Sequence, residues 1–390
     1  MRFVLGNSEL RRPIETKQAN CTGLYGFSFE REDPKEGEKY YLPGFKAFRE
    51  TVPNPVPGAL YSTNEHPVQS FIWKDFSVKP DRTYVYHMRP VRGNPKNLVR
   101  EAPFKITVKT EAHNAGDALH DVFFNRGVAS SQVYAVKFGN RRLGLVPERK
   151  AWMWLSRGLE EAIKEFIKGA KNAQWQIRGC FYEFHYLPVL EELHDAVERG
   201  VDVQIIYDAK ENEHFEREKE SGERRFVESY PKQINETAIR LCGLGRCVHP
   251  RSQNKSYISH NKFMVLMKDG KAQEVWTGST NISEGGIFGH TNVGHRIQDP
   301  GVAKKYLEYW DKLKDDRNLQ TKDLKQFCEG LQPDISLAGV GPGKVKDRIP
   351  GGITALFSPG SKTDMLAAYA HLLEACRVYS PAFLCQARRH

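Results

Sequence analysis

Apolar positions change their period along this chain. In the first hundred residues they alternate with polar ones, so 83–88 (TYVYHM) and 104–110 (FKITVKT) read as half-buried strands. Asn54, Pro55, Pro57 and Gly58 mark a loop between earlier elements. From Glu148 the period becomes helical, with Trp152, Leu155, Leu159, Ile163, Phe166 and Ile167 on one stripe that reads as core. A strand at 175–184 (WQIRGCFYEF), a helix at 188–199 stopped by Gly200, and a strand at 201–209 (VDVQIIYDA) follow. This alternation, with continuously apolar strands, predicts an α/β layer on a mixed, largely parallel sheet. The charge-dense stretch 211–225 reads as an exposed loop or helix, and a helix at 234–241 leads to a strand at 247–250. The run 262–267 (KFMVLM) pairs across a turn at Asp269-Gly270 with 274–277 (EVWT). Last comes an amphipathic helix at 301–314, whose Tyr306, Tyr309 and Trp310 are expected to pack on the sheet.

The 390 residues suffice for two or three domains, and 39% of them are hydrophobic, as in ordinary globular proteins. No apolar run is long enough for a transmembrane segment, and the N-terminal apolar stretch is too short for a signal peptide, so a cytoplasmic location is expected. Seven scattered cysteines do not form a disulfide framework, and Cys242 with Cys247 lacks the second pair that zinc needs. The net charge of +10 favours an anionic partner, either nucleic acid or a membrane surface met peripherally. Its basic residues are spread along the chain, so charge alone does not choose between the two.

The chemistry concentrates around His260. His260 and Lys262 are two apart and therefore project together from a strand, while Asn281 lies at the end of the neighbouring one. An imidazole nucleophile, a fixed cation and a neutral donor are what phosphoryl transfer requires. None of the three calls for a metal or organic cofactor. Asn125 and Arg126, in the loop before the first strong helix, are within reach of such a site but read better as loop anchors.

The string HNKFMVLM followed by GSTN resembles the HxK…GSxN motif of the phospholipase D superfamily, and 281–295 (NISEGGIFGHTNVGH) looks like one bacterial branch of it. The resemblance implies that His260 attacks phosphorus to give a phosphohistidine, that Lys262 and Asn281 hold the phosphate oxygens, and that Gly278 and Ser279 line the pocket. It implies a phosphodiester hydrolase that needs no metal, acting on phospholipid head groups. A nuclease of the same superfamily and a non-catalytic phosphate-binding or docking protein are the alternatives. Two positions depart from the pattern: Met267 stands where the family carries an aspartate, and Gly294 where a glutamate commonly orients the histidine. Glu284 and His295 are nearby candidates for the missing orienting group, with Asn292 between them. His290 and His295 are candidates for the acid.

The family builds one site from two motif-bearing halves, and this chain carries one complete motif. Residues 365–384 repeat the helix-then-strand order of 159–184 and read as the start of a second half. A histidine at the same offset from that strand would fall beyond His390, so a truncated second half, or a homodimer that completes the site, is expected. The segment 73–93 resembles the closing strands of a fibronectin III or immunoglobulin-like sandwich. The expected order is therefore an all-β sandwich-like domain at 1–111, a connector at 112–148, the first phospholipase D-like half at 149–345, and the truncated half at 346–390.

Overall fold

The computed structural model describes residues 2–5, 8–10, 21–56, 59–70, 72–75, 77–110, 119–127, 131–217, 224–227, 229–253, 259–315, 319–331 and 352–360. The chain divides into two compact units, Met1–Val122 and Phe123–His390. The expected second half, 346–390, lies almost wholly outside the described residues.

The described residues of the first unit are built from β-strands. Strands Phe104–Lys109, Thr83–Asn94, Leu24–Asp33 and Glu38–Tyr41 lie side by side in that order, antiparallel throughout, with Asn97–Arg100 also paired to Thr83–Asn94. Alternation along the first part of Thr83–Asn94, as far as Pro90, buries Tyr84, Tyr86 and Met88 against Phe27, Phe29 and Val108. Trp73 stacks on Phe29 with ring centroids 4.2 Å apart. Within this core Arg31 pairs with Asp75 at 2.8 Å, and the Tyr86 hydroxyl donates to the same carboxylate, so the two buried charges offset each other.

The second unit is built on one seven-stranded sheet, whose first strand crosses the boundary between Val122 and Phe123. Its strands, in chain order, are β1 (His120–Phe124), β2 (Trp175–Phe181), β3 (Asp202–Asp208), β4 (Val248–Arg251), β5 (Lys262–Lys268), β6 (Lys271–Gly278) and β7 (Val293–Ile297). They lie in the spatial order β1-β7-β6-β5-β2-β3-β4. The pairs β2/β3 and β3/β4 run parallel, whereas β2/β5, β5/β6 and β6/β7 run antiparallel. The sheet is therefore mixed, and the largely parallel arrangement expected above is corrected. A tight turn causes the difference: Asp269 and Gly270 both take positive φ (50° and 74°), which closes β5 and β6 into a hairpin in the middle of the sheet.

Both faces of the sheet are covered, which is why β5 is buried from Lys262 to Met267. On one face Ile177, Val203, Ile205, Met264, Leu266 and Trp276 share a core with α1 (Gln132–Phe138), α2 (Lys150–Ser156), α3 (Leu159–Lys168) and α4 (Leu187–Glu198). On the other, Cys180, Ile206, Phe263, Val265 and Met267 pack against Tyr309, Trp310 and Leu313 of the helix Pro300–Lys314. Trp310 Nε1 donates to the Gly179 carbonyl at 2.8 Å and ties that helix to β2. Met267, where the family has an aspartate, is thus a core side chain on this second face.

Two local expectations differ from the outcome. The single helical stripe from Trp152 to Ile167 is split into α2 and α3, because Arg157 (φ 50°) and Gly158 (φ 92°) take left-handed conformations between them. The charge-rich stretch after β3 contains a two-stranded hairpin, His214–Arg217 with Arg224–Val227, rather than a loop or helix. Charge density disfavours burial, a condition that a strand pair can meet as well as a helix.

Candidate active site

The site is assembled where β2, β5 and β6 end. Alternation along β5 puts Lys262 on the same face as Met264 and Leu266, and the packing of those two against the helices leaves Lys262 only 8% exposed. His260, two residues before, is exposed. The chain enters this turn through Ser259, whose amide donates to Asp208 Oδ2 at 2.9 Å. The Lys262 ammonium donates to the His260 carbonyl at 3.0 Å and lies 5.7 Å from the centroid of the Tyr182 ring. The His260 imidazole lies 5.0 Å from that same ring. His260 and Lys262 therefore converge on one aromatic side chain.

Backbone pairing brings in the second motif segment. The Tyr182 amide donates to the Asn261 carbonyl at 3.0 Å, and the Ile282 amide donates to the Glu183 carbonyl at 3.0 Å. The amides of His185 and Tyr186 in turn donate to the Ile282 carbonyl at 2.8 and 2.9 Å. Residues 182–186 thus run between the His260 segment on one side and Asn281–Ser283 on the other. Asn281 Oδ1 is buried without a hydrogen-bond partner among the described residues, an unspent polar atom in a place where one is costly.

Two glycines permit this packing. A Cβ on Gly286 would sit 2.5 Å from the Asn281 carbonyl oxygen. Gly278 has φ 143°, and a Cβ there would sit 2.2 Å from the Val293 carbonyl oxygen. Gly278→Ala is expected to cost about 2 kcal/mol or more, since it combines an unfavourable φ with a backbone clash. Urea unfolding measures this directly, and a loss below ~0.5 kcal/mol would contradict the geometry.

Burial and charge tune the two motif side chains in one direction. Burial pushes the Lys262 ammonium down to about 8, with Glu183 pulling the other way. Burial, then the neighbouring Lys262, hold the His260 imidazole below its ordinary value, opposed by Glu183 and Asp208. Both causes favour the neutral form of the ring, whose second nitrogen keeps its lone pair.

The other residues singled out in the sequence take distinct places. Ser279 donates to Asn292 Oδ1 at 2.8 Å and accepts the Val293 amide, so its hydroxyl fastens the β6–β7 connection. The Asn292 amide group donates to the Gly286 carbonyl. Asn125 accepts the Asn292 backbone amide and donates to the carbonyls of Ile287 and His290, while Arg126 donates to the Trp154 carbonyl; both act as loop anchors. Glu284 is exposed ahead of the π-helical turn Gly285–Gly289, and His290 is exposed just after it. His295 pairs with Thr277 and alternates with Ile297, which puts it on the sheet face opposite Lys262.

Sequence reasoning missed Glu183 and its partner Tyr230. Glu183 Oε1 accepts the Tyr230 hydroxyl at 2.6 Å, and Oε2 accepts the Ser283 hydroxyl at 2.5 Å. A signal was present: Glu183 is a carboxylate two residues beyond the C-terminal end of β2, the end at which α/β sheets gather their ligand groups. Among the described residues, no three His, Cys, Asp or Glu side chains gather as a metal-binding cluster, and no helix is long and apolar enough to cross a membrane.

Residues 165–314 match a family model described as "Cardiolipin synthase, PLD-like domain". Among solved structures, the phospholipase D family member Nuc from Salmonella typhimurium is 22% identical, covering 40% of this chain and 87% of its own, with a TM-score of 0.31. NucT from Helicobacter pylori is 14% identical over 50% of this chain and 96% of its own (TM-score 0.30). Phosphatidylserine synthase from Haemophilus influenzae is 14% identical over 57% and 52% (TM-score 0.31). No curated protein matches. The matched segment contains His260, Lys262 and Asn281 together with the strands that carry them, so the similarity to a phospholipase D-like domain takes in the whole candidate site.

Proposed function

We propose that the chain cleaves or transfers a phosphodiester through a covalent phosphohistidine on His260. The observation that carries this reading is the pairing of an exposed, neutral imidazole with a buried ammonium on the same strand end, both against Tyr182. In the first step an imidazole nitrogen forms a bond to phosphorus and the leaving oxygen departs with the electron pair of its P–O bond, taking a proton from an acid. In the second step water attacks phosphorus and gives a proton back to the group that acted as acid, the N–P bond breaks with its electron pair returning to nitrogen, and the imidazole and the acid are both restored. Lys262 and Asn281 hold the non-bridging oxygens, where charge builds as the transition state forms. Phospholipid head groups are the substrate we favour, and the domain's family description supports that choice. A nuclease is the second reading, favoured by the net charge of +10. For the first unit we favour a fibronectin III or immunoglobulin-like sandwich that serves as a docking module.

The acid is proposed to be His260 of a second copy, placed by two-fold pairing of the domain. Turnover of bis(p-nitrophenyl) phosphate in EDTA, followed over a dilution series beside sedimentation, tests both parts. We expect activity that persists in EDTA and falls as the dimer dissociates. Loss in EDTA restored by zinc or magnesium would contradict the mechanism, and full activity in a demonstrated monomer would contradict the pairing. Parallel assays on anionic phospholipid vesicles and single-stranded DNA separate the two substrate classes.

A further inference from the structure

We propose that Glu183 is the positioning residue for His260, with its carboxylate held in place by Tyr230 and Ser283. The proposal rests on His260 being the nucleophile, and it fills a role for which this chain has Gly294 in place of a glutamate. Pairing of Tyr182 with Asn261 extends the β2–β5 register by one residue, so that Glu183 and His260 leave neighbouring strand ends side by side. The carboxylate is not left to wander: Ser283 donates to one oxygen at 2.5 Å and Tyr230 to the other at 2.6 Å. Tyr230 is itself pinned, because Asn212 accepts its amide and donates to its carbonyl, each at 3.0 Å. Both donors to Glu183 are neutral hydroxyls, so the negative charge is oriented without being cancelled. Each carboxylate oxygen accepts two hydrogen bonds, which leaves capacity for an imidazole N–H.

The charged groups around His260 are Lys262, Glu183 and Asp208, beside the ring of Tyr182. Asp208 is the competing carboxylate. Alternation along β3 sets it with Ile206, on the face opposite Tyr207, and its oxygens already accept the amides of Ser259 and Lys210. Asp208 therefore fixes the path of the chain into the motif from the other face, whereas the extended β2–β5 register sets Glu183 directly opposite His260. A carboxylate on one imidazole nitrogen fixes the tautomer that presents the other nitrogen's lone pair. It also balances the positive charge the ring acquires once the N–P bond has formed.

The test compares Glu183→Gln, Glu183→Asp and His260→Ala in the full chain. It uses bis(p-nitrophenyl) phosphate turnover and the pH titration of the His260 imidazole followed by 15N NMR. Glu183→Gln should lower kcat about 10–100-fold with KM little changed. It should also move the His260 titration to lower pH, because the charge that favours the imidazolium is gone. Glu183→Asp keeps the charge, so it should keep the titration near its wild-type position while lowering kcat. If the glutamine variant fails to fold by circular dichroism, the aspartate variant decides, and wild-type kcat there overturns the proposal. An unmoved His260 titration in a folded Glu183→Gln variant overturns it too, whatever happens to kcat. Activity in His260→Ala would instead overturn the reading on which the proposal rests.

Discussion

His260→Ala is expected to lower turnover by about 10^5-fold or more while leaving the fold intact. That figure is the low end of what a tethered, oriented nucleophile is worth over water from bulk. The side chain is exposed and makes its ring contact with Tyr182, so its removal opens no core cavity. Stopped assays on purified variant, with unfolding midpoints measured alongside, check both halves of the expectation. Residual turnover within tenfold of wild type would remove His260 from the chemistry. A large drop in the unfolding midpoint would mean that the loss of activity reports structure instead.

Lys262→Met should lower kcat/KM by about 10^2–10^3-fold, the range for removing one preorganised donor from a developing oxyanion. The pH dependence makes this expectation specific. The Lys262 ammonium, pushed down to about 8 by burial, loses its charge as pH rises through that value, so kcat/KM of the free enzyme should fall on a basic limb centred near there. On the acid side, protonation of His260 removes the nucleophile, and the limb should lie below the ordinary imidazole value because burial and Lys262 both disfavour the charged ring. In Lys262→Met the basic limb should vanish and the acid limb should move up, since a neighbouring positive charge has been deleted. A basic limb that survives in this variant at about pH 8 would assign it to another group.

The strands and the motif hairpin were legible because their signals are local. An apolar run, a two-residue turn at Asp269-Gly270 and an HxK spacing need only a short window of sequence, and β5, β6 and the helix Pro300–Lys314 appear where periodicity puts them. Sheet direction was not legible in the same way. Parallel and antiparallel buried strands are equally apolar, so β5 and β6 were distinguishable from the parallel strands only through their hairpin turn. The break between α2 and α3 rests on the φ of Arg157, a residue type that gives no warning of a left-handed conformation. Glu183 escaped notice for a different reason. Its partners Tyr230 and Ser283 lie 47 and 100 positions away, and only the register of three strand ends brings them to it. A carboxylate near Gly294 is what chain order suggests, whereas the one proposed to orient His260, Glu183, lies opposite it across the strand register.

A covalent bond to one named imidazole is the claim on which the rest depends. Enzyme mixed with excess phosphodiester, quenched in alkali during the first turnovers and digested for peptide mass mapping, tests it most directly. The N–P bond of a phosphohistidine survives base, so the substrate's phosphoryl group should be found on the peptide containing His260, at a stoichiometry approaching that of the active sites. Product released at the same time, with the His260 peptide unmodified, would contradict the account.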